Sequence, residues 1–268
     1  MKFMIRSDIE GVTGVTTYSQ AENSSFGRDM LMNDLNACIA GLFSNGPQEI
    51  VIYDEHTDGR NIDPSRLEHP VRVICGKPPY RADWGGLDAT YDAMLMVGFH
   101  AKSGVPGALL PHSYSRKNLD IRLNGLSVGE IGMEAAIAGD FEVPLVMVTG
   151  DSAGMAEAEQ LIPGIKTATV KQAMGEFAAE CLPPRETYEL IRNAAAGLAD
   201  NRAQWPKPFK ITGPVTLEID LSESEFREKL RAKSGRYFIS DRTVRLTDVS
   251  ATAAWSHYCQ LKSEASKS

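Results

Sequence analysis

Asp8 and Glu10 stand two residues apart at the end of the apolar run that opens the chain, and Gly11 follows them. In extended backbone such a pair points to one face, so both carboxylates can converge on one object. Two acids held side by side repel each other unless a cation or a shared proton relieves them. A strand that merely runs into a polar turn, with Asp8 as the cap, would carry the same pair. The rest of the chain must therefore supply partners, and it offers His56, His100 and Glu130. Two imidazoles and three carboxylates suit a pair of borderline divalent metals, zinc first, with manganese or cobalt as alternatives. If one carboxylate bridges, these residues leave each metal an open position, the arrangement of a catalytic site. A bridging water would then be acidified and, as hydroxide, attack a carbonyl polarised by the metals. His112, off the metals, would act as acid or base or stabilise the oxyanion.

These residues have to be positioned by the elements around them. Short apolar runs read as strands near residues 3–7, 49–53, 71–75, 93–97, 144–149 and 167–170, and alternation marks another at 119–123, turned by Asn124-Gly125. The spacing of Met30, Leu31, Leu35, Ile39 and Leu42 predicts a helix over 26–44, stopped by Asn45-Gly46-Pro47. Further helices are expected over 127–138, with Glu130 in the first turn, over 153–161 and over 184–204, while 11–25 reads as a loop. Beyond a linker at Trp205-Pro206-Lys207-Pro208 the pattern predicts a strand at 215–221 and a helix at 223–232. One or two strands over 237–246, a closing helix over 249–261 and a frayed end at 263–268 complete the chain. Strands alternating with helices imply an α/β fold with a mostly parallel central sheet and helices on both faces. We assign that catalytic domain to residues 1–205 and a smaller α+β domain to 206–268. Sites in such sheets lie beyond the carboxyl ends of the strands. Asp8 and Glu10, Asp54 and His56, His100, and Asp151 each follow a strand, which would line them along one edge.

The 268-residue chain can bury one large core or a large and a small one. Hydrophobic content of 43% and charged content of 24% are those of a soluble globular protein. A net charge of −7 argues against nucleic acid and anionic membrane surfaces as partners. Cys38, Cys75, Cys181 and Cys259 lie far apart without C-x-x-C spacing, which excludes a metal ribbon and points to reduced thiols in the cytoplasm. The acids at 8 and 10 interrupt any signal-like apolar core, and no apolar run approaches the roughly 18–20 residues that cross a bilayer. His69, ahead of Pro70, and His257, in the closing helix, read as surface or structural.

Several motifs, in order, resemble those of the DppA-type zinc D-aminopeptidases. Ser7-Asp8-Ile9-Glu10-Gly11 resembles that family's S-x-D-x-E-G opening, and Asp54-Glu55-His56 its D-S-H block. Gly98-Phe99-His100-Ala101 is similar to its G-Y-H-A, His112-Ser113 to its H-S, and Val128-Gly129-Glu130-Ile131-Gly132 to its V-G-E-L-G. Val148-Thr149-Gly150-Asp151 resembles its V-A-G-D, and the resemblance runs through Glu157 to Pro163 before thinning past Pro206. It implies two zinc ions per subunit, with Asp8 bridging, Glu10 and His56 on one metal, and His100 and Glu130 on the other. It also implies a catalytic role for His112, release of N-terminal residues, notably D-alanine, from short peptides, and a homo-oligomer of two stacked five-membered rings, a homodecamer. Three departures bear on substrate choice: Glu55 in place of a serine, Ser152 where an acid is usual, and the loop 113–118.

Two rival readings carry different chemistry. Gly150-Asp151-Ser152-Ala153-Gly154 fits the G-x-S-x-G nucleophile elbow between a strand and a helix, and Asp241 or Asp248 with His257 would complete a serine hydrolase. Against it, His257 falls in a helical pattern and no H-G-G-G-type segment precedes. A non-catalytic peptide-binding module stabilised by metals would need closed, four-ligand sites. Gly11-Val12-Thr13-Gly14 is not a dinucleotide fingerprint.

Overall fold

The computed structural model describes residues 1–46 and 48–267. The opening apolar run forms β1 (Lys2–Ser7), which is buried from Phe3 onward and is an interior strand of the larger sheet. After it come α1 (Tyr18–Asn23), α2 (Ser25–Phe43), β2 (Glu49–Asp54), β3 (Arg72–Ile74), β4 (Ala93–Phe99), β5 (Asn118–Leu123) and β6 (Leu126–Val128). The middle of the chain forms α3 (Glu130–Asp140), β7 (Leu145–Asp151), α4 (Ser152–Leu161), β8 (Lys166–Gly175), β9 (Ala178–Cys181) and α5 (Pro184–Ala195). The last part forms β10 (Val215–Leu221), α6 (Glu225–Ser234), β11 (Thr243–Asp248) and α7 (Ala251–Ser266).

The larger sheet has the order β3-β2-β1-β4-β7-β8-β9, parallel except for β9. From β1 the chain steps to one side through β2 and β3, then returns to β4 on the other. Strand ends splay at such a reversal and leave a crevice above the carboxyl ends of β1 and β4. Alternation decides the two faces. Phe3 and Ile5 pack under Leu31, Leu35 and Ile39 of α2 and Ile191 of α5, while Met4 packs with Ile131 and Ala135 of α3 and Met155 of α4. The expected α/β architecture is the observed one.

The smaller sheet, order β11-β10-β5-β6, is antiparallel and draws two strands from the middle of the chain. Asn124 and Gly125, with φ of 49° and 83°, make the two-residue hairpin that returns β6 onto β5. Residues 126–128 are therefore strand, and the helix expected from 127 begins at Glu130 instead. That helix, α3, is buried from Glu130 to Gly139 because both sheets use it. Ile131, Ala135 and Ala138 face the larger sheet, while Met133, Ala136 and Ile137 join Trp255 and Tyr258 of α7 against the smaller one. Such a helix is buried on every side rather than on one stripe, and its two glutamates, Glu130 and Glu134, are buried with it.

Other expectations shift at their edges. The stretch 11–25 contains α1, held by a capping box of Thr17 and Gln20. The helix from Pro184 stops at Ala195 rather than reaching 204, and α7 runs to Ser266 because Leu261 and Ala265 are buried under the smaller sheet. α2 ends at Phe43 ahead of Asn45-Gly46; Pro47 and Ser268 lie outside the described residues.

Candidate metal centre

Two glycines let the ends of β1 and β4 touch. A Cβ on Gly11 would stand 2.0 Å from the carbonyl oxygen of Phe99, and one on Gly98, at φ +82°, 2.2 Å from that of Asp8. The Gly11 N–H instead donates to Gly98 O at 2.8 Å. This close approach brings Asp8 and Glu10, leaving β1, against His100, leaving β4. His56 arrives from β2 on a loop organised by Asp54, whose carboxylate accepts from the backbone N–H groups of His56 (3.2 Å) and Asn61 (2.6 Å). Glu130 is the first residue of α3, where the helix N-terminus favours a carboxylate. Glu157 of α4 ties this corner together by accepting from Lys102 N at 2.8 Å and Gly129 N at 3.2 Å.

The six residues singled out by sequence meet in one place. Asp8 Oδ1 lies 2.9 Å from His56 Nδ1, and Asp8 Oδ2 lies 3.3 Å from His100 Nε2. Glu10 Oε2 is 3.0 Å from the same nitrogen of His56, and Glu130 Oε1 is 3.4 Å from that of His100. Asp8, Glu10 and His56 thus offer three ligand atoms within 4.8 Å of one another; Asp8, His100 and Glu130 offer a second set. Asp8 belongs to both. His112 stacks on His100 with ring centroids 4.1 Å apart and places Nε2 3.8 Å from Glu10 and 3.7 Å from Glu130. Glu10, His100 and His112 form a third set of the same kind.

Hydrogen bonds on the far side of each ring set its chemistry. The Nδ1–H of His100 donates to the carbonyl of Ala101 at 2.9 Å, and that of His112 to Leu110 O at 3.0 Å. A neutral ring held that way presents the Nε2 lone pair, and both lone pairs face carboxylate oxygens. Buried acceptors opposed at this range need a cation or a proton between them. His100 Nε2 and Glu10 Oε2, both aimed into this cluster, are buried without a hydrogen-bond partner, so the donor set fits divalent metal. Protons show the same demand. Burial disfavours charge on His56, but the carboxylates of Asp8 and Glu10 raise its imidazole to about 11. Burial likewise opposes charge on Asp8, yet His100 and His56 hold its carboxyl well below the usual range. His100 is raised against the same burial penalty by Asp8 and Glu130, and Glu130 is lowered in return by His100.

A cavity of about 260 Å³ opens onto these groups, lined also by Tyr18, Glu22, Glu55, Thr57, Tyr114, Ser115 and Arg116. Thr57, Leu110 and Tyr114 adopt φ of 49°, 47° and 58°, each one or two residues from His56 or His112. Non-glycine residues in this region are strained by about 1–3 kcal/mol each and persist where surroundings over-determine them. Tyr114 shows how. Its N–H donates to Glu130 Oε1 and its hydroxyl to Glu134 Oε1, both at 2.6 Å. Glu134 lies 2.5 Å from the buried Arg6 guanidinium, which also pairs with Glu55 and donates to Tyr80 OH at 2.8 Å. Burial pushes the Glu134 carboxyl up to about 7, even beside Arg6.

Sequence reasoning misses these supporting residues, though three carry a signal. Arg6 interrupts a central apolar strand, Glu134 follows Glu130 by one helical turn, and Lys171 sits inside a strand. The other strand-end acid, Asp151, caps α4 by accepting from Ala153 N at 2.8 Å and Gly154 N at 3.2 Å. The Ser152 hydroxyl accepts from Ala173 N at 3.0 Å, while His257 bonds Tyr237 OH at 3.1 Å and faces Asp248. The elbow residues therefore have other partners. His69 stacks on Phe43, a structural use.

A family profile described as D-aminopeptidase matches residues 1–258. The chain belongs to the D-aminopeptidase family. A D-aminopeptidase of Bacillus subtilis (strain 168) is 33% identical over 226 residues, covering 83% of this chain and 82% of that one. The solved structure of "Zn-dependent D-aminopeptidase DppA from Bacillus subtilis, a self-compartmentalizing protease" superposes with a TM-score of 0.91 at 27% identity, over 100% of this chain and 99% of that one. As a D-aminopeptidase family member the chain is a peptidase, and the crevice at the β1–β4 reversal gathers groups that could hold a metal ion.

Proposed function

We propose that this member of the family is a metallo-aminopeptidase with two zinc ions per subunit, held by Asp8, Glu10, His56, His100 and Glu130. It releases the N-terminal residue of short peptides, those that begin with a D-amino acid above all. The observation that carries the reading is Asp8, whose two oxygens face two imidazoles, each of which also faces a further carboxylate. Bound there, two divalent cations would polarise the scissile carbonyl and acidify a water as the nucleophile. Asp8 is the candidate bridge; Glu10 and His56 serve one ion, His100 and Glu130 the other. His112, fixed through Leu110 and stacked on His100, holds Nε2 toward the same carboxylates. From there it moves the proton that the departing amine requires, or hydrogen-bonds the developing oxyanion.

Copies of the chain would enclose the site as a homo-oligomer, the homodecamer of the family resemblance; the self-compartmentalizing relative supports that reading. A cytoplasmic location is supported by the four cysteines, none of them paired. Among the described residues no helix is long and apolar enough to cross a membrane. Dialysis against a chelator should abolish hydrolysis across a panel of D- and L-aminoacyl peptides, and zinc should restore it for the D-series first. Activity that survives metal removal but disappears in Ser152→Ala would overturn this reading in favour of the serine elbow.

A further inference from the structure

We propose that Arg116 receives the free carboxylate of the short-peptide substrate, which makes peptides with a free carboxyl terminus preferred over carboxyl-blocked ones. The inference deepens the aminopeptidase reading and rests on it. The cavity wall carries the carboxylates of Asp8, Glu10, Glu22, Glu55 and Glu130, and Arg116 is its one lysine or arginine among the described residues. A short peptide is a zwitterion. With Asp8, Glu10 and Glu130 holding the proposed cations, Glu22 and Glu55 remain to attract its ammonium, and away from the metals Arg116 is, among the described residues, the one lining lysine or arginine that offers its carboxylate positive charge.

Arg116 is also uncommitted. Its guanidinium lies over the Tyr18 ring, 4.6 Å from the centroid, and faces Glu22 at 3.8 Å. Both members of that pair are exposed, so it contributes little. Among the described residues the Arg116 side chain makes no hydrogen bond, which leaves its planar fork open for bidentate contact with a carboxylate. Arg6 and Arg122, by contrast, are each engaged by two or more acids.

The placement of Arg116 fits a short peptide. Tyr18 stands edge-on to His112 with centroids 5.7 Å apart, so Arg116 is one aromatic ring removed from the candidate proton carrier. An extended peptide covers at most about 3.3–3.6 Å per residue, so the carboxylate of a short leaving group comes within reach of that guanidinium. The loop is fixed before substrate arrives: Asn118 N donates to Ser115 O at 2.9 Å, and Asn118 Nδ2 to Ser113 O at 2.8 Å. A preformed loop loses little entropy on binding.

The test compares D-alanyl-D-alanine with its C-terminal amide on zinc-loaded wild type, Arg116→Gln and Arg116→Lys. Wild type should favour the free acid. Arg116→Gln should raise KM for the acid by roughly 10- to 100-fold, as expected for a charged hydrogen-bond pair, with kcat and the amide kinetics near wild type. Arg116→Lys should recover part of the preference. An acid-to-amide ratio unchanged by Arg116→Gln, or an equal loss on both substrates, overturns the role of Arg116 while leaving the aminopeptidase reading standing. Failure of wild type to hydrolyse either compound overturns both.

Discussion

Replacing Lys171 with methionine removes a buried ammonium around which the loop carrying Glu10 is folded. Its Nζ donates to the carbonyls of Glu10 and Val12 at 2.7 Å each, and to that of Val15. Charged hydrogen bonds are worth about 1.5–3 kcal/mol each, so the three together hold the loop with roughly 5–9 kcal/mol. Burial works against them by pushing the amine down from 10.5 to about 8, a displacement equivalent to roughly 3 kcal/mol that the variant recovers. The expected net destabilisation of Lys171→Met is therefore about 2–6 kcal/mol at pH 7. The sign of the pH dependence is fixed by the same displacement. Between about 8 and 10.5 the unfolded chain still holds the proton that the folded chain has released. Stability from this residue is full above about 10.5 and is lost as the pH falls through about 8. Wild type should gain on the variant as the pH is raised across that window. Urea melts at several pH values in chelator measure both quantities, and a zinc titration measures the consequence for the site. Freed of its clamp, Glu10 should cost the protein about 10- to 100-fold in zinc affinity, the usual effect of losing an outer support. A variant within about 1 kcal/mol of wild type would refute the energetic reasoning, and unchanged zinc affinity would refute the link from Lys171 to Glu10.

Asp8→Ala should strip metal from the purified protein together with activity, because both candidate metal sets lose a ligand; metal analysis showing full occupancy would refute the bridge. His112→Ala should keep its metal and lose turnover by ~10²–10⁴-fold, the range for a general acid or base. Steady-state kinetics at wild-type rate would remove His112 from the mechanism.

Most of the candidate site is legible in the sequence, because its groups follow strands. A parallel sheet puts all strand exits on one edge, so Asp8, Glu10, His56 and His100 must share that edge. Glu130 is legible for a different reason, as an acid at a helix start beside a glycine cap. The smaller sheet is less so. Val215–Leu221 alternates and announces itself, but the partners of β10 include β5, which is nearly a hundred residues earlier, and sequence carries no local mark of that pairing. The helix expected from residue 127 starts too early for the same reason, since the three-residue strand there exists only through the hairpin that pairs it.

Taken by itself, the sequence determined which residue types were available for chemistry and which elements would present them, since periodicity and turn chemistry act over a few residues. Only tertiary structure decided that Asp8 turns one oxygen to His56 and the other to His100, that Arg6, Tyr80, Tyr114 and Glu134 brace the site from behind, and that Arg116 shares its cavity. Those relations join strands and loops far apart in the chain. They are set by the packing of α3 between two sheets and by glycines that let backbones touch, which no local pattern encodes.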